Sequence, residues 1–212
     1  MPLGIPKVTY SRFTDDKPTW IDINERLYKE RKLFLCKEIT TSFANQFIGL
    51  LLLLNSESDD LNDTDIYMYI NSLGGDTYQS IAIYDTMKYI VPEVSTIAIG
   101  LAASGASLIL AGGTFTRRIA YPYARILIHE PRTIPTSTKK NIDSFIKETE
   151  DMLELRNIIV DIYAENTGKL VGVIQKDMER GMERDYDYFM SATEAKDYGI
   201  IDRIARLKKE NE

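Results

Sequence analysis

One cysteine, one histidine and one tryptophan are all that this chain of 212 residues carries of those three types. A lone Cys36 excludes an intrachain disulfide, and a thiolate metal site needs ligands the chain does not have. A reducing compartment suits such a sequence, and Cys36 itself reads as a small, half-buried apolar residue. Long hydrophobic runs are missing as well. The longest, IGLLLLL at 48–54, is far short of the ~20 residues that cross a bilayer. The opening MPLGIPKVTYSRF has neither the apolar core of a signal peptide nor the Arg- and Ser-rich character of a transit peptide, so the chain is expected to work where it is made. Positive charge is not in excess either: 26 Lys and Arg face 32 Asp and Glu, for a formal net charge of −6. Phosphate binding needs the opposite balance. Nucleic acid and membrane are both set aside as main partners.

What is present points to one core. Hydrophobic residues make up 44% of the chain, enough for a single domain. We expect an N-terminal arm at 1–20, where three prolines sit without periodicity, one domain over 21–207, and a charged, solvated tail, KKENE, at 208–212. Thr40, Thr41 and Ser42 offer N-caps to a helix whose Phe43, Phe47, Leu50, Leu51 and Leu54 recur at helical spacing. IYMYIN at 66–71 reads as a buried strand that runs through SLGGD into the helix YQSIAIYDTMKYI. VSTIAIG at 94–100 is a second strand, leading into the small-residue helix AASGASLILAGG, and RILIH at 125–129 is a third. Strand–helix–strand–helix–strand at this spacing predicts an α/β fold with a parallel sheet core and flanking helices. Residues 138–167 predict the longest amphipathic helix, with Gly168 as its C-cap. Its apolar stripe is broad enough for either its own sheet or a partner subunit.

The chemistry gathers at the strand ends. His129 closes an apolar strand at the sheet's carboxyl edge, where open α/β sheets place ligand crevices, and imidazole is the natural general base near neutral pH. Ser104 follows the preceding strand at the same edge, as a nucleophile or simply as an N-cap. The N–H of Gly105 opens a helix beside it. Gly74 and Gly75 form a turn after the first strand, where backbone approaches a ligand without a Cβ in the way. A donor there completes an oxyanion hole.

At these residues the chain resembles the Clp protease proteolytic subunit (ClpP) family of serine peptidases, from about Trp20 to Asp202. The resemblance is carried by NERLYKERKLFL, YINSLGGDTYQSIAIYDTM, IGLAASGASLILAGG, YPYARILIHEP and FMSATEAKDYGIID, in that order. The opening MPLGIPKV is similar to the plastid-encoded form in particular, which implies the chloroplast stroma. The resemblance implies a ClpP/crotonase-like fold with a long handle helix near 138–167, and Ser-His-Asp catalysis without a cofactor or metal. Ser104 takes the nucleophile's place, His129 the base's, and the backbones of Gly75 and Gly105 those of the oxyanion donors. For the third member, anchoring on FMSA selects Asp187 and anchoring on MERD selects Asp185; the longer anchor favours Asp187. The family further implies two stacked heptameric rings of ClpP-type subunits, a tetradecamer enclosing a chamber for unfolded protein substrates. An AAA+ Clp unfoldase docks on the ring face, and Tyr67, Tyr69 and Tyr89 lie at the family's docking positions.

Departures from the family's pattern set further expectations. Leu73 stands in place of Pro, Gly105 and Ala106 in place of Met-Gly, and Glu130 in place of Gln. Glycine fixes the oxyanion donor at 105 less well, and Glu130 places a negative charge beside His129, raising its pKa. A short echo, DMERG followed by MERD at 177–185, adds residues just before the aspartate. Two other readings accompany the peptidase: a divergent ring member without turnover, and a crotonase-type thioester enzyme.

Overall fold

The structure, a computed structural model, describes residues 4–11, 18–57, 65–131, 142–183 and 188–206. Two short strands come first, β1 (Lys7–Tyr10) and β2 (Thr19–Asp22), paired antiparallel. The segment that showed no periodicity in sequence therefore carries a small sheet of its own. Helix α1 (Ile23–Lys29) and strand β3 (Lys32–Leu35) lead into α2 (Thr41–Ser56), whose cap is Thr40, accepting from the Phe43 N–H. Ala44, Phe47, Leu51 and Leu54 turn inward at intervals of three and four, as the apolar spacing requires. Cys36, just past β3, is exposed rather than half-buried, because the inward positions of that strand are Leu33 and Leu35.

The core alternates strand and helix: β4 (Ile66–Ser72), α3 (Thr77–Tyr89), β5 (Val94–Ala103) and α4 (Gly105–Ala111), then β6 (Arg118–Ala120) and β7 (Arg125–Ile128). Helix α5 (Ile142–Thr167), α6 (Val171–Glu183), β8 (Tyr188–Ser191), α7 (Ala192–Tyr198) and β9 (Arg203–Ile204) complete the chain. The sheet order is β3-β4-β5-β6-β9, with all these pairs parallel. Strand β5 is the shared one. Thr96–Ala98 pair with β6, and Leu101–Ala103 then pair with β7, which in turn holds β8 antiparallel. The expected parallel α/β core is present, and β5 runs three residues beyond the predicted Gly100.

The broad stripe of α5 divides. Leu155, Ile159, Val160, Ile162 and Tyr163 pack into the core, whereas Ile142, Phe145 and Ile146 in the first turns are exposed. Gly168 closes the helix with φ +71 and donates its N–H to the Ala164 carbonyl, the αL cap that glycine adopts readily. Among the described residues no helix is long and apolar enough to cross a membrane.

A buried ion pair ties the far end of this core together. The Arg118 side chain is 3% exposed and gives Asp202 two bonds, Nε to Oδ2 at 3.0 Å and Nη2 to Oδ1 at 2.6 Å. Its Nη1 donates to the Asn166 carbonyl at 2.7 Å, so one guanidinium joins β6, the end of α5 and the lead into β9. Burial pushes the Asp202 carboxyl up, but the hydrogen bonds and charge of Arg118 outweigh it and hold the group below the usual carboxylate range. A depressed folded pKa means stability present above the unfolded value and lost as pH falls through the folded one. Asp202→Asn is therefore expected to lower Tm at neutral pH, roughly 3–5 kcal/mol in stability for a broken buried pair. The gap to wild type should begin to narrow near pH ~4, the unfolded aspartate value, and close as pH falls through the lower folded value, where wild type protonates the same group. Thermal unfolding across pH reads both.

Candidate active site

Three parallel strands deliver the predicted groups to one edge. Ala102 pairs with Ser72 and with Ile126, and Ala103 with Leu127. In that register Gly74, two residues past Ser72, lies level with Ser104, and His129 leaves its strand one position further along. Neighbouring strands are ~4.8 Å apart, so the carboxyl ends of β4, β5 and β7 converge. Ser104 and His129 in fact line the same small cavity, of about 20 Å³, with Thr77, Gly105, Ile159 and Tyr163.

Ser104 joins β5 to α4 with φ +55 and ψ −129, a conformation that L side chains rarely adopt and that costs on the order of 1–3 kcal/mol. The surroundings over-determine it. The Ser104 N–H donates to the Leu127 carbonyl at 3.1 Å, and the Ser104 carbonyl accepts from the Ser107 N–H at 2.9 Å. All seven residues of α4 are buried, so the helix has no freedom to relax the turn. Although Ser104 occupies the N-cap position, its side chain makes no capping bond. That answers the simpler reading of this serine: the hydroxyl is not spent on the helix.

Behind the turn lies a buried polar network that no local pattern signals. Ser107 Oγ sits 2.7 Å from the Ser104 carbonyl, 2.6 Å from the Leu127 carbonyl and 2.7 Å from the Tyr163 hydroxyl. A serine hydroxyl has one hydrogen, and both carbonyls only accept, so Tyr163 must be the donor to Ser107. Burial pushes the Tyr163 phenol far above its ordinary value, and it stays protonated to serve. Helices α4 and α5 and strand β7 are thus fastened at one point, directly under the serine and histidine.

The glycine turn closes the other side. Gly74 has φ +89, and a Cβ there would lie 2.6 Å from the Ala103 carbonyl and 2.9 Å from Ser104 Cβ, so only glycine lets the turn approach. Beyond it, the Ile39 N–H donates to the Gly74 carbonyl and the Asp76 N–H to the Ile39 carbonyl, leaving Gly75's own N–H on the opposite side. Neither the Gly75 nor the Gly105 N–H donates to any described residue.

Gly105 is glycine for want of space. A Cβ at 105 would stand 2.0 Å from Ser80 Oγ and 2.7 Å from Ser80 Cβ. Ser80, fully buried on α3, is itself held by a 2.8 Å bond to the Asp76 carbonyl. The expected loosening at 105 is opposed by this neighbour, which fills the room a side chain would take.

Glu130 does not stand alone beside the imidazole. Its carboxylate takes a 2.5 Å bond from Arg156 Nε on α5, and Arg156 Nη2 reaches Glu179 on α6 at 2.5 Å. Asp187 and its alternative Asp185 lie outside the described residues. Of the three tyrosines expected at docking positions, Tyr67 and Tyr69 share a groove of about 560 Å³ on the outer face of the sheet. Tyr89, at the end of α3 and 77% exposed, is not among its lining residues. Among the described residues no group of His, Cys, Asp and Glu could hold a metal ion.

The Clp protease family profile matches residues 15–208. A chain from Vitis vinifera named ATP-dependent Clp protease proteolytic subunit is 45% identical over 205 residues, 97% of this chain and 99% of that one. A chain of the same name from Chaetosphaeridium globosum is 47% identical, covering 97% and 96%. The Arabidopsis thaliana protein named Chloroplastic ATP-dependent Clp protease proteolytic subunit 1 is 46% identical, covering 97% and 99%.

The contact between Gly105 and Ser80 yields a direct expectation. Gly105→Ala should destabilise by about 1–3 kcal/mol through overpacking, with a lowered Tm. Ser80→Gly in the same chain should recover most of the loss. Equal Tm values for the single and double variants would show that the two positions do not compete for space.

Proposed function

The chain belongs to the Clp protease family, and from that premise we infer that it is a proteolytic subunit of an ATP-dependent Clp protease, a serine endopeptidase that hydrolyses peptide bonds of unfolded proteins. The one observation that carries the reading is the strained Ser104 turn, whose free hydroxyl shares a cavity with His129. The relatives, one of them named as chloroplastic, support work in the plastid.

In this reading Ser104 Oγ attacks the scissile carbonyl carbon while His129 takes the hydroxyl proton. The carbonyl π electrons move to oxygen, and the N–H groups of Gly75 and Gly105 receive the oxyanion, each worth ~3–4 kcal/mol in sites of this kind. His129 then gives its proton to the leaving amine, and the acyl-enzyme remains. Water, deprotonated by the same imidazole, attacks its carbonyl carbon; the bond to Ser104 Oγ then breaks, the imidazolium returns its proton to that oxygen, and the second product leaves as a carboxylic acid. Asp187 is our choice for the carboxylate that orients the imidazole and stabilises its charged form.

Assembly follows from the family and is supported by exposed apolar surface. The first turns of α5, with Ile142, Phe145 and Ile146 in solvent, suit the contact between stacked heptameric rings of ClpP-type subunits. Tyr67, Tyr69 and Tyr89 are assigned to docking of an AAA+ Clp unfoldase, which would supply the ATP-driven unfolding.

A fluorophosphonate probe is expected to label Ser104 in the assembled particle, and Ser104→Ala to abolish the label while assembly persists. Ser104→Ala and His129→Ala should each lower peptide turnover by roughly 10⁴-fold or more. A wild-type particle that stays unlabelled, or mixed rings that lose no activity when only this subunit carries Ser104→Ala, would favour a structural ring member instead.

A further inference from the structure

His129, Glu130 and Pro131 are consecutive, yet they face different ways. His129 and Pro131 line the cavity with Ser104, whereas the Glu130 carboxylate reaches Arg156. Arg156 lies on the face of α5 that walls this cavity, since Ile159 and Tyr163 follow it at three and seven residues and both line it. The Arg156 side chain is 21% exposed and that of Glu130 16%, so the pair is largely withdrawn from water and weakly screened.

The charges around the imidazole can be placed element by element among the described residues. Strand β5 and helix α4 bring none, for VSTIAIGLAA and GASLILA contain no ionisable charge. The turn before Thr77 brings Asp76, whose Oδ1 is engaged by the Gln79 N–H, and β8 brings Tyr188, whose phenol burial pushes up. From α5 come Arg156 and the neutral phenol of Tyr163. From α6 comes Glu179, half exposed and bonded to the other arm of Arg156, while Asp177 is occupied by Arg180 and by the Tyr198 hydroxyl. Glu130 is therefore the carboxylate next to His129 in the chain, and Arg156 is the cation that meets it.

We propose that Arg156 is a positioning residue for His129: it draws the Glu130 carboxylate onto α5 and offsets its charge, so that the imidazole stays neutral and ready to accept the Ser104 proton. The assignment rests on the peptidase reading for its purpose, but not for its measurement. Beyond the one carboxylate assigned to orient the imidazole, a second negative charge near it favours the charged form further, and that form cannot act as a base. A glutamate at 130 is thus tolerated only where its charge is answered. Arg156 answers it with a forked, permanently charged group that also spans to α6, which a lysine point charge would do less well.

Because His129 is the chain's sole histidine, deuterium exchange at the imidazole Cε1, read by mass spectrometry on the assembled particle, gives its titration midpoint without ambiguity. Arg156→Gln should raise that midpoint by about one unit and move the acid limb of kcat/KM for a peptide up in pH by the same amount. Glu130→Gln added to it should bring both back to wild type. Glu130→Gln alone, which leaves the guanidinium in place, should lower the midpoint, and Glu179→Gln should shift it less than Glu130→Gln does. Unchanged midpoints in Arg156→Gln or in Glu130→Gln would overturn the proposal, as would a double variant that keeps the full shift. Shifted midpoints in a particle with no peptide turnover would uphold the ion pair and sink the peptidase reading; full turnover with unmoved midpoints would sink this proposal alone.

Discussion

The left-handed backbone at Ser104 is the constraint on which the edge of the sheet is built. A side chain that ends a strand normally continues the alternation into one face or the other. With φ +55 the chain turns sharply at this residue, its hydroxyl opens into the cavity, and the following amide begins a helix beside it. The strain is sustained because every neighbour is fixed. Leu127 receives the Ser104 N–H, Ser107 holds the Ser104 carbonyl, Tyr163 holds Ser107, and the Gly74 turn presses from the other strand. Loosening any one of these would allow the residue to relax, and its energy would be recovered at the expense of the geometry.

Two long-range ion pairs then join the site to the rest of the molecule, and they act at the middle and at the last turn of α5. Arg118 holds the helix's last turn through the Asn166 carbonyl, alongside Asp202. Arg156, further back, holds the segment that follows β7. Between them sit the buried Ile159, Ile162 and Tyr163. The C-terminal half of α5 is thus a fixture of the core, whereas its first turns carry Ile142, Phe145 and Ile146 into solvent. One helix serves as internal wall and external face in succession.

Much of this was legible from local pattern. The short apolar, β-prone runs of β4 and β5, the capped helix α2 and the strand ending at Ile128 all obey local rules that hold within a few residues of sequence. So does the placement of Ser104 and His129, because strand ends in a parallel sheet share an edge. Short strands escaped: β6 and β9 have three and two residues, too few for a period to register. The capping box from Ser191 to Glu194, ahead of Gly199, was a readable start and stop for α7. Ser107 with Tyr163, and Glu130 with Arg156, are separated by 56 and 26 residues. No local rule brings such partners together; only the packed fold does. Cys36 illustrates the reverse case, a residue type usually found inside that here falls just past the last inward position of its strand.

The crowding of Gly105 against Ser80 gives sequence drift at these two sites a one-way order. A mutation that first enlarges residue 105 meets an occupied position and is purged. One that first trims residue 80 to glycine opens a small hole, a modest defect that a population can carry, and the bulkier residue at 105 then becomes admissible. Descendants that exchange the serine of α3 for a side chain beside Ser104 must have passed through the hollow intermediate, and ancestral reconstruction at this pair should find the gap before its filling.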